Sequence, residues 1–467
     1  MKRKTKIVAT ISDLRCDVDF IRQLFEAGMD VARLNTAHQT EEDTLKIVNN
    51  VREVSDKIAL LLDTKGPEIR TLHVDGPFAV DTGEEVLVYR GAPPSGAKGL
   101  STTYIDFIDD VPDNAQILID DGDIMLEVQE KTRDFLRCTA QNAGTIKNKK
   151  SINVPNASFA LPSLSEKDKK YVEFAIKHDI DFIAHSFVRN KYDVLAIQEI
   201  LDKNNSDVKI IAKIENQEGV SNIQEIMDHA YGIMVARGDL AIEIPYEKIP
   251  GIQKKLITAA ISRRKPVIIA TQMLHSMINN PRPTRAEVSD IANAIYSKTD
   301  AIMLSGESAF GKYPVEAVIT MSKVAKETEK TRSDFHDAPV CILSSEISAY
   351  LAKSAVHASL KLNAKAIIAD TTTGRTIRNL SGYRGKRPVY AQCYSKRTVR
   401  ELALSFGVFP YYIQPSEEHE FISKALERLR KKGKLKSEDR IVILGGNFGR
   451  NHGASFIDIS TVDNLIK

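Results

Sequence analysis

Short apolar runs alternate with segments of helical periodicity along most of the chain. The first runs are residues 6–10 (KIVAT), 31–35 (VARLN) and 59–64 (ALLLDT), and apolar residues at three- and four-residue spacing lie between them. These runs are apolar enough to be covered on both faces, as the strands of a parallel sheet are. The pattern therefore predicts that the chain begins with three parallel strands separated by helices.

The periodicity changes after the third run. Residues 67–161 contain short strand-like stretches, many turn residues and little helical spacing. Such a segment predicts a separate all-β domain, inserted after the third strand. Insertions of this kind enter β/α barrels at the loops that follow strands.

The alternation of strands and helices resumes after the insertion. Ser165 is predicted to cap the first helix there, and residues 218–229 are predicted to form an amphipathic helix. Five further strands are predicted at 181–186 (DFIAHS), 209–214 (KIIAKI), 232–237 (GIMVAR), 266–271 (PVIIAT) and 301–306 (AIMLSG). Eight strands, each followed by a helix, predict an α/β fold: a (β/α)8 barrel formed by residues 1–66 and 162–334, with the insertion as a lid.

Residues 335–467 predict a third unit, a small α/β domain. A helix at 347–362 is followed by strands at 364–370, 388–393 and 440–446, with another helix at 395–406. The turn TTTGRT follows the first of these strands and opens a helix, as in an anion-binding nest; its residues are Thr371, Thr372, Thr373, Gly374, Arg375 and Thr376. A capped turn with a solvated arginine is an equally good interpretation. A glycine-rich loop at 445–453 is predicted to close over the same anion.

Polar chemistry follows every predicted barrel strand. The residues at these ends are Thr10, Arg33 with Asn35, Asp63, Ser186, Lys213 with Glu215, Arg237 with Asp239, Thr271, and Ser305 with Glu307. Functional groups of β/α barrels gather at the carboxyl ends of the strands. The pattern therefore predicts a site for a metal ion and a phosphorylated anion, but it does not name a reaction.

Two neighbouring strands supply the carboxylates of this predicted site. Lys213 and Glu215 are two positions apart on an extended chain and so leave the same face, while Arg237 and Asp239 follow the next strand. Mg²⁺ is commonly bound by one or two carboxylates together with substrate phosphate oxygens. Structural ion pairs are the alternative; this alternative is favoured for a single pair but less so for two pairs on adjacent strands.

Overall composition excludes several classes of function. The formal net charge is +3, which gives no reason to expect a nucleic-acid partner, and the basic segment 428–436 is predicted to be a solvated face. The four cysteines are scattered without zinc or CxxC spacing. No apolar run approaches the length of a signal peptide core or a membrane span, so we expect a cytoplasmic protein without a membrane partner.

Several long motifs resemble the pyruvate kinase family, in the family's order and with an inserted domain in the family's place. They are AGMDVARLN, LDTKGPEIRT, KIENQEGV, GIMVARGDL, ATQMLHSM, PRPTRAEVSDIANAI and IMLSGESAFGKYPVEAV. The resemblance implies transfer of the phosphoryl group of phosphoenolpyruvate to ADP, giving ATP and pyruvate, the last step of glycolysis. It also implies Mg²⁺ or Mn²⁺, K⁺, a homotetramer and a phosphorylated sugar effector bound at the TTTGRT turn.

The resemblance also assigns roles to individual residues. The residues that it implies for the metals and the substrate are Glu215 and Asp239 for Mg²⁺; Asn35, Asp63 and Thr64 for K⁺; Lys213 and Arg33 for the phosphoryl group; Gly238 and Asp239 for the substrate carboxylate; and Thr271 for proton delivery to the enolate. The implied nucleotide contacts are Asn35, His38, Arg70 and Lys150. The inserted domain is implied to be a lid that excludes water.

The sequence departs from the family pattern at five places, two of which are Ala241, where the family has glycine, and His275, where the family has an acid. Residues 12–15 (SDLR) replace a Gly-Pro-Ala-Ser run beside the nucleotide, Ala37 replaces a serine that helps to bind K⁺, and Phe310 replaces a lysine. Two other functions stay open at this point. One is a barrel lyase or aldolase acting on pyruvate enolates, and the other is a non-catalytic regulator.

Overall fold

Eight parallel strands close into a barrel, and each pairs with its neighbours in chain order until the last pairs with the first. The structure is a computed structural model, and it describes residues 2–37, 39–74, 76–332, 341, 345–414, 421–446 and 453–465. The barrel strands are Lys6–Ile11, Val31–Asn35, Ala59–Asp63, Phe182–His185, Lys209–Ile214, Gly232–Ala236, Val267–Ala270 and Ala301–Leu304. The predicted (β/α)8 barrel is therefore confirmed.

Helices surround the barrel and lie between its strands, as the alternating pattern predicts. They are Val18–Ala27, Glu41–Val54, Glu166–Lys177, Lys191–Lys203, Gln217–Ser221, Ile223–His229, Arg237–Glu243, Ile249–Ser262, Arg285–Tyr296, Gly306–Ala309 and Pro314–Thr331, with single 3-10 turns at Tyr246–Lys248 and His275–Ile278. Ser165 caps its helix as predicted, because its hydroxyl accepts a hydrogen bond from the Asp168 backbone N–H.

The single helix predicted at 218–229 is wrong. The structure has two shorter helices, Gln217–Ser221 and Ile223–His229, which meet at Asn222. The Asn222 side-chain amide donates a hydrogen bond to the Arg189 carbonyl oxygen at 3.0 Å, and its ψ angle of 13° departs from helical geometry. Asparagine readily exchanges helical hydrogen bonds for such local contacts, which an apolar pattern does not reveal.

The inserted domain is built almost entirely of β-structure, as predicted. Seven strands close a second barrel: Ile69–Leu72, Glu85–Tyr89, Gly99–Thr102, Gln116–Ile119, Ile124–Lys131, Phe135–Ala140 and Ser151–Asn153. Phe78–Val80 pairs with Gly144–Ile146, and Phe107–Asp110 forms one short helix. All of these elements lie within the predicted limits 67–161, although the limits themselves stay a prediction.

The C-terminal domain is a five-stranded sheet flanked by helices. In spatial order its strands are Val408–Tyr412, Val389–Cys393, Ala366–Thr371, Arg440–Gly445 and Phe456–Thr461, and the last runs antiparallel. Its helices are Glu346–Lys361, Arg375–Gly382, Lys396–Glu401, Phe421–Lys431 and Val462–Leu465. The sequence interpretation missed the first and last strands of this order. The predicted boundary at 334/335 lies outside the described residues.

The helix predicted at 395–406 is shorter than expected. It ends at Glu401 and continues as a 3-10 turn, Leu402–Leu404. Ala403 and Leu404 belong to the apolar cluster inside the barrel, which has members from all eight strands. The C-terminal domain therefore covers the end of the barrel at which the strands begin, and this contact explains why the helical period breaks.

Candidate active site

The charged residues predicted at the strand ends form the top layer of the barrel interior. Val8, Val31, Leu61 and Ile211 belong to the interior apolar cluster. Side chains two positions apart on a strand share a face. The residues two positions beyond these four are Thr10, Arg33, Asp63 and Lys213. The strand pattern therefore brings a hydroxyl, a guanidinium, a carboxylate and an ammonium group together at the mouth of the barrel.

Lys213 lies at the centre of this layer. Its Nζ is 3.0 Å from both Asp63 Oδ1 and Glu215 Oε1, and it donates a hydrogen bond to Ser186 Oγ at 2.7 Å. Only 9% of the residue is exposed. Burial alone would lower the pKa of the ammonium group, but Asp63 and Glu215 outweigh it and raise the pKa above its ordinary value. Lys213 is therefore a fixed positive charge at neutral pH.

Asp63 joins Lys213 to a second cation. Arg33 Nε donates to Asp63 Oδ2 at 2.6 Å, and Arg33 Nη1 donates to Thr10 Oγ1 at 3.0 Å. Burial alone would raise the pKa of Asp63, but Arg33 and Lys213 together hold it below its usual range. Two cations thus face the mouth around one ionised carboxylate.

The two carboxylates predicted to hold a divalent metal lie close to each other. Glu215 Oε2 accepts a hydrogen bond from the Phe187 backbone N–H at 2.7 Å, and Asp239 lies in the first turn of Arg237–Glu243. Burial raises the pKa of Glu215, Lys213 opposes this shift, and the negative charge of Asp239 adds to it. Such mutual repulsion is relieved by a hard cation, so this pair fits Mg²⁺ or Mn²⁺. Within the described ranges, no group of three or more His, Cys, Asp or Glu residues is placed to hold a metal without help from a substrate.

Thr271 is held beside Gly238 in an unusual backbone conformation. Its φ of 68° is in the left-handed region, which a β-branched residue rarely adopts. The Gly238 N–H donates to Thr271 Oγ1 at 2.8 Å, and Arg237 Nη2 donates to the Thr271 carbonyl oxygen at 2.7 Å. The predicted substrate residues Gly238 and Thr271 are therefore in direct contact.

Arg237 has a different partner from the one considered in the sequence. Its Nη1 donates to both carboxylate oxygens of Asp290, at 2.6 and 2.8 Å. The alternative in which Arg237 pairs with Asp239 is thus wrong. Asp290 belongs to Arg285–Tyr296, which packs beside the strand end, and no local pattern indicated this pairing.

The predicted K⁺ ligands also lie near one another. Asn35 and Asp63 are direct partners in the register of the second and third barrel strands. Asn35 Oδ1 accepts a hydrogen bond from the Ala37 N–H at 3.2 Å, and the Thr64 carbonyl oxygen accepts one from Ser186 Oγ at 2.7 Å. These amide, carboxylate and carbonyl oxygens are hard ligands of the kind that alkali cations prefer.

Arg70 and Lys150, the predicted nucleotide contacts of the inserted domain, lie at neighbouring strands. The Thr71 N–H donates to the Lys150 carbonyl oxygen at 2.8 Å. Arg70 pairs with Glu68 at 2.7 Å and Lys150 pairs with Asp120 at 2.8 Å. His38, another of the predicted nucleotide contacts, lies outside the described residues. A cavity of about 430 Å³, lined by residues of both domains that include Asp239, separates the inserted domain from the barrel.

The TTTGRT turn has the backbone geometry that its sequence predicts. Gly374 adopts a left-handed φ of 77° and its N–H donates to Thr371 Oγ1 at 2.8 Å. Thr372, Thr373 and Arg375 are exposed, and Thr376 is half-buried. Most of the predicted covering loop 445–453 lies outside the described residues.

Three residues that contact the site received no role from the sequence. Thr10 and Ser186 were recognised only as polar strand ends, and their position at the mouth was the signal that could have assigned them. Asp290 is 53 positions from Arg237 and gave no such signal. A search for helices passing over strand ends would be needed to find it.

Comparison with known proteins decides the family. A model described as pyruvate kinase, barrel domain, matches residues 2–318, and one described as pyruvate kinase, alpha/beta domain, matches residues 350–460. The chain is 48% identical to a pyruvate kinase of Borreliella burgdorferi, covering 100% of this chain and 99% of that protein. The chain belongs to the pyruvate kinase family. It is accordingly a phosphotransferase with the pyruvate kinase fold.

Two further relatives agree with this assignment. A pyruvate kinase of Geobacillus stearothermophilus is 42% identical over 100% of this chain and 81% of its own length. The crystal structure of a pyruvate kinase from Cryptosporidium parvum superposes with a TM-score of 0.92 at 36% identity, covering 98% of this chain and 96% of that one. In the part of the chain that the structure describes, the search for a helix long and apolar enough to cross a bilayer finds none.

Proposed function

We propose that the barrel mouth of this pyruvate kinase family member transfers the phosphoryl group of phosphoenolpyruvate to ADP, giving ATP and pyruvate. The observation that carries the proposal is the buried ammonium group of Lys213, which lies 3.0 Å from Asp63 and Glu215. Phosphoryl transfer passes through a loose transition state whose charge spreads over the phosphoryl oxygens. A fixed cation at that point stabilises the transition state without having to reorganise.

Lys213 and Arg33 act on the phosphoryl group. Asp63 orients both cations, because each of its carboxylate oxygens pairs with one of them. The β-phosphate oxygen of ADP attacks phosphorus, the bond from phosphorus to the enol oxygen breaks, and the enolate of pyruvate remains. Thr271, which Gly238 and Arg237 hold in place, helps to deliver a proton to the methylene carbon of the enolate.

Glu215 and Asp239 would hold Mg²⁺ or Mn²⁺, and Asn35, Asp63 and Thr64 would hold K⁺. The divalent ion, when bound, would supply charge neutralisation at the phosphate and polarisation of the enol oxygen. Ala37 lacks the hydroxyl that the family pattern provides, so we expect K⁺ to be bound more weakly than in relatives with serine there. Asn35, His38, Arg70 and Lys150 bind the nucleotide, and the inserted domain closes over it to exclude water.

A coupled assay tests this function and its rivals. Pyruvate release from phosphoenolpyruvate is measured with and without ADP, and then with Mg²⁺ and K⁺ omitted in turn. We expect strict dependence on ADP and Mg²⁺ and a weaker dependence on K⁺. Pyruvate release without ADP would mean that the phosphoryl group passes to water and would argue against a kinase, and absence of turnover in the complete mixture would favour a lyase of another substrate or a regulator.

The TTTGRT turn binds a phosphorylated sugar effector. The exposed Arg375 and the left-handed Gly374 provide the charge and the backbone geometry for an anion. Arg375→Ala is expected to keep basal turnover and to lose the response to phosphorylated effectors. If no phosphorylated metabolite changes the activity of the parent protein, the turn has no regulatory role.

The protein assembles as a homotetramer in this proposal. Analytical ultracentrifugation of the full-length protein checks the tetramer.

A further inference from the structure

A strongly basic cavity lies between the barrel and the C-terminal domain, at the end of the barrel opposite the mouth. Its volume is about 710 Å³, and among the described residues that line it eight are lysine or arginine and one, Asp439, is acidic. Lys2 and Lys326 contribute from the barrel, and Lys365, Lys434 and Lys436 contribute from the C-terminal domain. Two domains therefore direct positive charge into one space.

This concentration of charge is unusual for the chain. The formal net charge of the whole protein is only +3, less than the excess of basic over acidic residues in this cavity. Burial, together with repulsion from Lys6, Lys57 and Lys434, lowers the pKa of Lys2 to about 8, and Asp30 offsets only part of this shift. Like charges gathered in one concavity raise the local concentration of anions.

We propose that this cavity binds a small molecule carrying two or more phosphate groups and that the bound molecule bridges the barrel and the C-terminal domain. The volume is in the range of small-molecule sites. Lysine ammonium groups are effective point charges toward phosphate. The basic residues surround one concavity instead of forming a stripe along a surface, which favours a small ligand over a nucleic acid.

This site is separate from the TTTGRT turn. Lys365 directly precedes the strand Ala366–Thr371, whereas the turn begins at the last residue of that strand. A six-residue strand spans about 20 Å, so the basic cavity and the turn lie at opposite ends of the C-terminal sheet. Binding at one is therefore distinguishable from binding at the other by substitution.

Titration of inorganic triphosphate into the full-length protein tests the proposal. Isothermal calorimetry in EDTA compares the parent with the double variant Lys434→Glu, Lys436→Glu, in which both exposed lysines follow the helix Phe421–Lys431. The matched control, Lys254→Glu with Lys255→Glu, makes the same charge change on the exposed face of Ile249–Ser262. We expect the cavity variant to bind at least ~10-fold more weakly and the control to stay within about twofold.

Two further readouts support the assignment to this cavity. Lys326→Glu, on the barrel side, is expected to weaken triphosphate binding as well. This second variant keeps the proposal testable if the double variant does not fold. Binding near pH 8 is expected to take up protons, because the anion restores the ordinary pKa of Lys2. Calorimetry in buffers of different ionisation enthalpy measures that uptake.

Several outcomes would overturn the proposal. The proposal would be wrong if the parent protein did not bind triphosphate, or if the double variant bound it as well as the parent does. If Arg375→Ala abolished binding while the lysine variants did not, the anion would bind at the TTTGRT turn instead. If a single-stranded oligonucleotide of about 20 nucleotides bound more tightly than triphosphate and depended on the same lysines, the occupant would be a nucleic acid.

Discussion

Lys213 shows how the environment of a single residue determines its chemistry. A buried ammonium group is normally driven toward the neutral form, but here two carboxylates at 3.0 Å keep it charged. A neutral amine would stabilise the phosphoryl oxygens far less than a fixed cation does. The neighbouring acids therefore keep the ammonium group charged, in addition to their proposed role as metal ligands.

Lys213→Met is expected to lower kcat by at least ~10²-fold while phosphoenolpyruvate still binds, because a transition-state interaction is lost. Steady-state kinetics and calorimetric titration of the substrate measure the two effects. Lys203→Met removes an exposed lysine that pairs only at the surface with Glu199, and it should leave kcat unchanged. Turnover near the parent value in Lys213→Met would mean that another group carries the charge.

His185 gives the protein a pH-dependent stability. It is fully buried, and neither ring nitrogen has a hydrogen-bond partner among the described residues. Burial lowers its pKa from 6.5 to about 4. Between these values the unfolded chain binds a proton that the folded chain does not, so stability falls as the pH drops below about 6.5.

His185→Leu should flatten this part of the stability profile. The expected difference from the parent protein grows to roughly 3 kcal/mol between pH 6.5 and 4. Urea unfolding at several pH values measures it, with the exposed His229→Leu as the control. A profile that keeps the slope of the parent would show that His185 does not titrate in this range.

At the scale of a single element, one side chain of the helix Glu166–Lys177 has two structural roles. Asp168 completes the capping box with Ser165, and its Oδ1 accepts a hydrogen bond from the Lys65 N–H at 2.9 Å. Lys65 follows the strand that carries Asp63 and Thr64. One carboxylate therefore starts a helix and also fixes the loop beside the predicted K⁺ site.

Asp168→Ala is expected to destabilise the protein by about 2–4 kcal/mol, because it leaves the half-buried backbone N–H groups of Lys65 and Ser165 without their acceptor. Ser165→Ala removes only the cap and should cost about 1 kcal/mol. Denaturant midpoints at constant m-value compare the two variants. Equal losses would show that the contact with Lys65 contributes nothing.

At the scale of the whole molecule, buried ion pairs and a shared apolar cluster join the C-terminal domain to the barrel. Asp300 is 3% exposed and accepts a hydrogen bond from Arg384 Nη1 at 2.8 Å and another from the Phe406 N–H at 3.0 Å. Arg400 similarly pairs with Asp181 at 2.6 Å. These contacts lie at the end of the barrel opposite the mouth, so they affect stability more directly than catalysis.

Arg384→Leu should destabilise the protein by about 3–5 kcal/mol, since it leaves the buried Asp300 without its cation. The control crosses the same interface: Lys396→Leu breaks an exposed pair with Asp56 and should cost less than about 1 kcal/mol. Urea unfolding measures both. kcat of the folded Arg384→Leu protein should equal that of the parent, and a large loss would mean that the two ends of the barrel are coupled.

Most of the barrel and its mouth could be predicted because they depend on local periodicity. The apolar runs identify the strands, and the two-residue period of a strand places Thr10, Arg33, Asp63 and Lys213 on its inward face. The motifs that resemble pyruvate kinases added the roles of these residues. No pattern in the sequence, however, indicated the partner of Arg237 or the break in the helix at Asn222.

The sequence by itself determined the eight barrel strands and which of their ends carry charge, because those properties follow from spacing along the chain. Tertiary structure alone decided that Asp63 joins Arg33 to Lys213, that Asp290 holds Arg237, and that lysines from two domains share one cavity. These contacts join residues tens to hundreds of positions apart. Their geometry is set by how helices and domains pack together, and packing leaves no periodic signal in the chain.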